Sequence, residues 1–428
     1  MNDLTIRGAT MFFGARSDLH VAGNLFVDAH TPGAPVIDAD GLIALPGLVD
    51  PHCHLREPSD DTPAETLVSG TAAAARGGFT CVAAMPNTTP ACDTAQQARW
   101  LLRQAKDPAL SARVVPIGAV TKDRAGTELA DLAGMYNAGV RLFSDDGAAV
   151  ASLNMMREAC LEVAYLGGVI ADHCQSQVMA GPRAWWPDNL STDDADDPPS
   201  DEIWPQAAET SIVMRDVQVA SDIGCHIHLC HISCAESVEV IRWAKRRGIP
   251  VTAEVTPHHL LLTSDLLSSG DTRFKVNPPL RSAEDVEALR AGLQDGTINM
   301  IGTDHAPHTA AAKNKPMPDA SPGMTGLEQA LAVVMETMVN PGRLDWLEVA
   351  WLMSFMPARL LLRLRNQARA MGPGIPANVV LIDPERRHIV DAQNTASLAR
   401  NNPYAGLDLP DPVMLTLWAG KVTQDRLR

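Results

Sequence analysis

The chain has 428 residues, 46% of them hydrophobic, and its 51 acidic against 35 basic side chains give a formal net charge of −16. This length suffices for a barrel-sized domain plus a smaller one. The acidic balance argues against nucleic acid or an anionic membrane as the main partner. There is no secretion-signal pattern and no bilayer-length apolar run, and none of the eight cysteines forms a Cys-x-x-Cys pair. We therefore expect a cytoplasmic protein with buried, reduced thiols.

The first 45 residues contain short alternating segments broken by glycine- and aspartate-rich turns, a pattern typical of small β-strands. The segment from residue 377 has the same character, with apolar runs at 378–383 and 414–422. We therefore predict a small β-sandwich domain built from both chain ends, residues 1–45 plus 377–428, and a larger domain at 46–376.

An apolar run at 42–49 predicts a buried parallel strand that leads into two histidines. Alternate residues of an extended chain point the same way, so His52 and His54 can direct two imidazoles at one point. Such a pair suits Zn, Fe, Ni or Cu, although an isolated pair is more often a packing feature than a ligand pair. Arg56 continues the alternation and could hold a substrate carboxylate beside the metal.

The middle of the chain alternates strand-like and helix-like segments, which predicts parallel β/α units. Further strands are predicted at 80–85, 113–120, 140–144, 168–172, 225–230, 250–256 and 299–303. Helices are predicted at 62–76, 96–105, 129–138, 154–165, 208–221, 235–247 and 260–267. About eight strands end in polar residues, which indicates a (β/α)8 TIM-type barrel. The stretch 182–205, rich in Asp, Pro, Ser and Trp, predicts a long loop.

Polar side chains follow these strands, and in such a barrel all the strand ends lie on one face, where active sites are found. The candidates are His52, His54, Asn87, Asp145, Asp146, His173, His231, Asn277, Asp304 and His308. Four histidines and two aspartates fit two divalent ions that share a bridging carboxylate and a hydroxide, with Asp304 transferring a proton.

Some of these assignments stay open on the residues alone. Spacing does not separate Asp145 from Asp146, and Asn87 and Asn277 each precede or follow a proline turn, where a turn role is as plausible as substrate contact. Four further histidines are expected to pack or hydrogen-bond rather than to ligate: His226, His228, His258 and His259.

Five motifs resemble those of the class I dihydroorotases of the amidohydrolase superfamily. They are Asp-Pro-His-Cys-His-Leu-Arg-Glu-Pro at 50–58, Met-Pro-Asn-Thr at 85–88, Phe-Ser-Asp-Asp-Gly at 143–147, Lys-Val-Asn-Pro-Pro-Leu-Arg at 275–281 and Gly-Thr-Asp-His-Ala-Pro-His at 302–308. The match spans nearly the whole chain. Many relatives carry a carbamylated lysine where class I members have a bridging aspartate. No lysine stands in the motif at 143–147, and the distance to the next histidine favours Asp146.

The resemblance implies two Zn²⁺ ions per subunit and a small-molecule substrate. It assigns His52, His54 and Asp304 as ligands of one ion and His173 and His231 as ligands of the other. Asp146 and a hydroxide bridge the two ions. It assigns the substrate contacts as Arg56, Asn87 and His308 at the carboxylate, with Asn277, Pro322 and Gly323 at the ring. It further implies zinc-dependent, reversible cyclisation of N-carbamoyl-L-aspartate to (S)-dihydroorotate plus water, the third step of UMP synthesis. A homodimer, or assembly with aspartate transcarbamoylase, is also implied.

Two alternatives remain at this stage. A sibling cyclic amidase, an allantoinase or hydantoinase, would normally need the missing carbamylated lysine. A non-catalytic dihydroorotase-like subunit would have lost metal ligands, whereas all six positions are filled here. Gln175 and Ser176 depart from the Glu-Asp pair that the family usually has, and the alanine run at 310–312 stands where acidic residues are common. Both departures bear on substrate preference.

Overall fold

The computed structural model describes residues 3–59, 63–180, 204–361 and 371–427. The predicted loop at 182–205 lies outside these ranges except for its last two residues. Five short strands occupy the beginning of the chain: β1 (Leu4–Met11), β2 (Arg16–Ala22), β3 (Leu25–Val27), β4 (Val36–Asp38) and β5 (Ile43–Pro46).

The middle of the chain alternates strands and helices as predicted. Its elements are β6 (Leu48–Cys53), α1 (Leu67–Arg76), β7 (Phe79–Ala84), α2 (Ala95–Gln104), β8 (Arg113–Pro116), α3 (Leu132–Ala138), β9 (Leu142–Phe143), α4 (Leu153–Leu166), β10 (Val169–Asp172), α5 (Gln206–Ile223), β11 (Ile227–Leu229), α6 (Ala235–Arg246), β12 (Val251–Val255), α7 (Pro257–Leu261), α8 (Ala283–Gln294) and β13 (Met300–Ile301).

Strands β6 to β13 form a closed parallel barrel. One parallel sheet contains β6, β7 and β8, and a second contains β9 to β13 in sequence order. Two parallel bridges join the sheets, Gly118 with Phe143 and Cys53 with His305. The predicted eight-stranded barrel is therefore confirmed, and the carboxyl ends of its strands share one mouth.

The last elements complete the fold. They are α9 (Ala310–Lys313), α10 (Ala330–Val334), α11 (Trp346–Ala350), α12 (Met356–Leu360), β14 (Val379–Ile382), β15 (Arg387–Ile389), β16 (Asp408–Pro410), β17 (Val413–Trp418) and β18 (Lys421–Asp425). An eight-stranded sheet runs in the order β18-β17-β14-β5-β1-β2-β3, with β4 on β1. The β domain made from both chain ends is thus confirmed, and its core includes Ile6, Phe26, Leu381 and Leu415. The domain limits 1–45 plus 377–428 and 46–376 stay a prediction.

The single strand predicted at 42–49 was wrong, because Gly47 divides the run between two sheets. Strand β5 pairs antiparallel with β14 in the small domain, whereas β6 pairs with β7 in the barrel. A Cβ atom at Gly47 would lie 2.3 Å from the Thr80 hydroxyl oxygen, so only glycine lets the chain pass this close to β7. Hydrophobicity alone could not reveal this change of sheet.

Local signals explain several helix boundaries. Thr66 and Ser69 form a capping box at the start of α1, and Ser282 with Asp285 does the same for α8. Helices α4 and α5 end at Gly167 and Gly224 in the left-handed conformation. The predicted helix at 260–267 was wrong in its limits, since α7 begins at the proline Pro257 and ends at Leu261.

All eight cysteines are buried and unpaired, as expected. Within the described residues, no helix is both long enough and apolar enough to cross a membrane.

Candidate metal centre

The predicted metal ligands meet at the carboxyl ends of the barrel strands, and all six are buried. His52 lies near the end of β6 and His54 just after it, Asp146 follows β9, and His173 directly follows β10. His231 lies two residues beyond β11, and Asp304 three beyond β13. The parallel barrel therefore gathers residues that are up to 252 positions apart in sequence.

The carboxylate of Asp146 lies at the centre of this group. Its Oδ1 is 3.4 Å from His52 Nε2 and 3.5 Å from both His173 Nδ1 and His231 Nε2, while its Oδ2 is 3.4 Å from His54 Nε2. One carboxylate thus contacts four imidazoles, three through Oδ1 and one through Oδ2. This arrangement is what a bridging ligand between two cations requires.

Asp304 completes the part of the group that contains His52 and His54. Its Oδ1 lies 2.9 Å from His54 Nε2 and 3.5 Å from His52 Nε2. His173 Nδ1 and His231 Nε2 face each other at 2.9 Å on the other side. Among the six predicted ligands, two triads have ligand atoms close enough together for one ion: His52 with His54 and Asp304, and His52 with Asp146 and His231.

Two buried atoms of the group lack hydrogen-bond partners, His52 Nε2 and Asp146 Oδ1. A buried polar atom without a partner is costly unless something else satisfies it. The imidazole and carboxylate donors are those that divalent transition metals such as zinc prefer. The residues present therefore fit a metal centre.

The electrostatics of the group favour a bound cation. Burial alone would raise the pKa of Asp146, but His52, His173 and His231 hold this pKa well below its usual value. Burial alone would lower the pKa of His52, yet Asp146 and Glu254 raise it well above its usual value. The carboxylates thus stabilise positive charge at this point. A metal ion would supply that charge in place of a proton on a histidine.

The Asp145 carboxylate is hydrogen-bonded to Val120 and Thr121 rather than to the imidazoles. Its carboxylate accepts hydrogen bonds from Val120 N at 2.9 Å, from Thr121 N at 3.0 Å and from the Thr121 hydroxyl. This geometry favours Asp146 as the bridging residue, whereas Asp145 holds the segment that follows β8.

Asp50 ties β6 to the segment that carries Asp304. Its carboxylate accepts hydrogen bonds from Thr303 N at 2.9 Å and Thr303 Oγ1 at 2.6 Å, and burial raises its pKa to about 7. His54 N also donates to the carbonyl of His305 at 2.9 Å. The two histidines and Asp304 are therefore held in a fixed relation.

Three predicted site residues have left-handed backbone conformations: Arg56 with φ 57°, His231 with φ 35° and Asp304 with φ 43°. Non-glycine residues adopt such angles at a cost and are concentrated in functional sites. The expectation that Arg56 simply continues the strand alternation was therefore wrong. Its turned backbone instead places Nε 3.2 Å from the carbonyl of Pro307.

Glu254, which the sequence reasoning missed, orients a ligand histidine. Its Oε1 lies 2.6 Å from His52 Nδ1, and its Oε2 lies 3.2 Å from His228 Nε2. A carboxylate on the far ring nitrogen fixes which nitrogen of His52 faces the metal. A lone acidic residue at 254 within the apolar strand β12 was the available signal.

Replacing Glu254 by glutamine is expected to weaken metal retention about 10- to 100-fold, because the amide orients the imidazole less well and lowers its basicity. Competition with a chelator, read out by metal analysis, measures the effect. The exposed Glu239→Gln on α6 is the control and should leave retention unchanged. Equal retention in both variants would contradict a role for Glu254 in holding His52.

The predicted carboxylate contacts border the metal ligands. Asn87 Oδ1 lies 2.8 Å from His54 Nδ1, so the amide is held directly beside a predicted metal ligand. His308 Nε2 lies 2.8 Å from the carbonyl of Pro322, and burial lowers the pKa of His308 to about 3. Gly323 has φ 141°, and a Cβ there would lie 2.7 Å from His308 Nε2.

Asn277 reaches the opposite side of the group. Its Nδ2 lies 3.2 Å from His173 Nε2, and its buried Oδ1 has no hydrogen-bond partner. Gln175, one of the departures from the family pattern, has its Oε1 3.3 Å from the same nitrogen of His173. An unpartnered acceptor beside the metal ligands is consistent with substrate contact.

Three of the four histidines that were expected to pack or hydrogen-bond make contacts outside the metal group. His226 and His228 hydrogen-bond to Thr252, and His259 contacts the carbonyls of Pro278 and Pro279. His258 is buried, and burial lowers its pKa to about 4. None of the four belongs to the group around Asp146 as the described residues show it.

Comparison with known proteins shows which family this chain resembles. The family described as Dihydro-orotase-like matches residues 41–237. A dihydroorotase of Leifsonia xyli is 46% identical over 99% of this chain and 97% of its own length, and one of Streptomyces coelicolor is 45% identical over 99% and 98%.

The chain belongs to the dihydroorotase family. A third dihydroorotase, from Mycobacterium tuberculosis, is 44% identical over 91% of this chain and 89% of its own length. Like its family, the chain is a metal-dependent cyclic amidohydrolase.

Solved structures confirm the fold of this dihydroorotase family member. An L-hydantoinase (dihydropyrimidinase) from Arthrobacter aurescens superposes with a TM-score of 0.87 at 24% identity, over 100% of this chain and 97% of its own. A dihydropyrimidinase from Brevibacillus agri gives 0.86 at 20% identity, over 100% and 96%.

Proposed function

We propose that this chain catalyses the reversible cyclisation of N-carbamoyl-L-aspartate to (S)-dihydroorotate plus water. The observation that carries the proposal is the Asp146 carboxylate contacting four histidines at the barrel mouth, in a chain 44–46% identical to dihydroorotases over most of its length.

The proposed cofactor is a pair of Zn²⁺ ions. His52, His54 and Asp304 would hold one ion, His173 and His231 the other, and Asp146 would lie between them. Such ions supply Lewis-acid polarisation of a carbonyl and bring the pKa of water near neutrality. Co²⁺ or Mn²⁺ would also suit this donor set.

The protein side chains bind and orient the substrate. The Arg56 guanidinium, the Asn87 amide and His308 would receive the carboxylate, since a guanidinium fork matches carboxylate geometry. Asn277 and the Pro322–Gly323 backbone would contact the ring. A cation in this position selects for a ring that carries a carboxylate.

Asp304 would move the proton. Burial alone would raise its pKa, but contacts with His54 and His52 lower it below its usual value, so the carboxylate is ionised at neutral pH. In the hydrolytic direction it accepts a proton from the attacking water and delivers it to the ring nitrogen that leaves as an amide. The reverse sequence closes the ring.

This reaction places the chain in pyrimidine synthesis, at the third step toward UMP. We also propose a cytoplasmic location and a homodimer or an assembly with aspartate transcarbamoylase. Sedimentation of the purified chain, alone and with the transcarbamoylase, tests the two assemblies.

A substrate panel tests the proposed reaction. Hydrolysis of dihydroorotate, hydantoin, dihydrouracil and allantoin is measured side by side with the metal-loaded protein. We expect dihydroorotate to be hydrolysed with kcat/KM at least 100-fold above the other three. A preference for allantoin or hydantoin would instead assign a sibling cyclic amidase activity, and no hydrolysis of any ring would support a non-catalytic subunit.

Arg56→Met is expected to lower kcat/KM for dihydroorotate about 10- to 100-fold. The reason is that a hydrogen bond to a charged group contributes about 1.5–3 kcal/mol, and methionine keeps the length without the charge. Steady-state kinetics measure the loss, and the exposed Arg103→Met on α2 serves as the control. An Arg56→Met enzyme with unchanged kinetics would remove the carboxylate role from Arg56.

A further inference from the structure

A second arginine lies at the mouth of the candidate site without an assigned role. Arg124 follows β8, on a turn at Lys122–Arg124. A Cβ atom built on Gly147 would lie 3.3 Å from Arg124 Nη2 and 3.8 Å from Asn87 Nδ2. The guanidinium and the Asn87 amide therefore border the same glycine, directly after the bridging residue Asp146.

The Arg124 side chain is partly buried, and one of its guanidinium donors lacks a partner among the described residues. Its Nε is buried and has no hydrogen-bond partner among the described residues. Burial lowers the pKa of Arg56 to about 10, and the positive charge of Arg124 contributes to this decrease. A guanidinium placed beside another one, with a donor left unpaired, is an arrangement that an anion would stabilise.

Hydrogen bonds connect the turn that carries Arg124 to Asp145, the residue next to the predicted bridging ligand Asp146. Asp145 accepts hydrogen bonds from Val120 N and Thr121 N, and Thr121 Oγ1 accepts one from Gly126 N at 2.9 Å. Arg124 itself has φ 58°, and its neighbour Asp123 has φ 51°. Two consecutive non-glycine residues in the left-handed conformation raise the free energy of the folded chain. Such strained residues are concentrated at functional sites, where they orient a side chain.

We infer that Arg124 is a further substrate-binding residue, which contacts the substrate carboxylate next to Asn87 and together with Arg56. This rests on the proposed function, because the anion is the carboxylate of dihydroorotate or carbamoyl aspartate. Asp145 is then a positioning residue that links the Arg124 turn to the strand end that carries Asp146.

Arg124→Met and Lys122→Met provide a matched pair for the test. Both remove one positive charge from the same turn, but Lys122 points to solvent and pairs with Glu128. We expect Arg124→Met to raise KM for dihydroorotate at least 10-fold with kcat within threefold of the wild type, because it removes binding common to ground state and transition state. Lys122→Met should keep the wild-type KM.

A binding measurement separates contact with the carboxylate from a loss of structure. Calorimetry with orotate, a planar ring bearing the same carboxylate, should show a Kd at least 10-fold higher for Arg124→Met. Arg124→Lys, which keeps the charge, should recover part of the affinity. If Arg124→Met does not fold, Arg124→Gln carries the same test.

Three results would overturn the inference while leaving the proposed function intact. They are a wild-type KM and Kd in Arg124→Met, an equal rise in KM for Lys122→Met, and an equal loss of affinity for orotate and for uracil, which lacks the carboxylate. Failure of the wild-type protein to hydrolyse dihydroorotate would instead reject the proposed function itself.

Discussion

Asp304→Asn is expected to lower kcat for dihydroorotate hydrolysis by about 10³-fold or more. Proton transfer by a positioned carboxylate contributes about 10²–10⁴-fold, and the amide cannot accept the proton. Asparagine also replaces a negatively charged predicted metal ligand, 2.9 Å from His54 Nε2, by a neutral amide that can donate a hydrogen bond. Metal affinity should therefore fall as well.

Metal analysis of the same preparation distinguishes the two effects. At saturating Zn²⁺, the metal site of Asp304→Asn is refilled but the proton acceptor is still missing, so kcat should stay low. Asp319→Asn, an exposed position that follows α9, should behave as the wild type. More than a tenth of the wild-type kcat in metal-loaded Asp304→Asn would contradict the role of Asp304 in proton transfer.

Asp146→Ala should weaken metal binding and remove most of the activity. Four histidine nitrogens face this carboxylate within 3.5 Å, so its removal leaves Asp304 as the one predicted carboxylate ligand to offset the charge of two cations. We expect fewer than two metal equivalents to be retained after dialysis and kcat to fall by about 10³-fold or more, as with loss of the general base.

The neighbouring Asp145→Asn is a stringent control for this second prediction. Its carboxylate holds Val120 and Thr121 rather than the histidines. The variant should therefore retain the metal, although the Arg124 turn loosens and KM for dihydroorotate rises. Loss of metal from Asp145→Asn but not from Asp146→Ala would reverse the assignment of the bridging residue.

The barrel could be predicted from sequence because its strands are apolar and end in polar residues. Parallel strands share one mouth, so His52, His173 and His231 were expected to meet although more than 50 residues separate each from the next. The small sheet was predictable for the same reason, since both chain ends carry short β-like runs.

The details that were missed depend on contacts between distant segments. The change of sheet at Gly47 depends on the Thr80 side chain, and the direction of Arg56 depends on a left-handed backbone angle. The roles of Glu254 and Arg124 follow only from their neighbours in the folded chain. Glu254 contacts His52, and Arg124 lies beside Gly147. Neither contact leaves a spacing pattern along the chain.

The central claim is that six buried side chains form a two-metal centre that hydrolyses dihydroorotate. The most direct measurement is to strip the protein of metal and return Zn²⁺ stepwise, following bound metal and dihydroorotate hydrolysis in the same samples. We expect activity to be absent in the stripped protein and to reach its plateau at two equivalents per chain. Full activity without metal, or two bound equivalents with no hydrolysis, would contradict the claim.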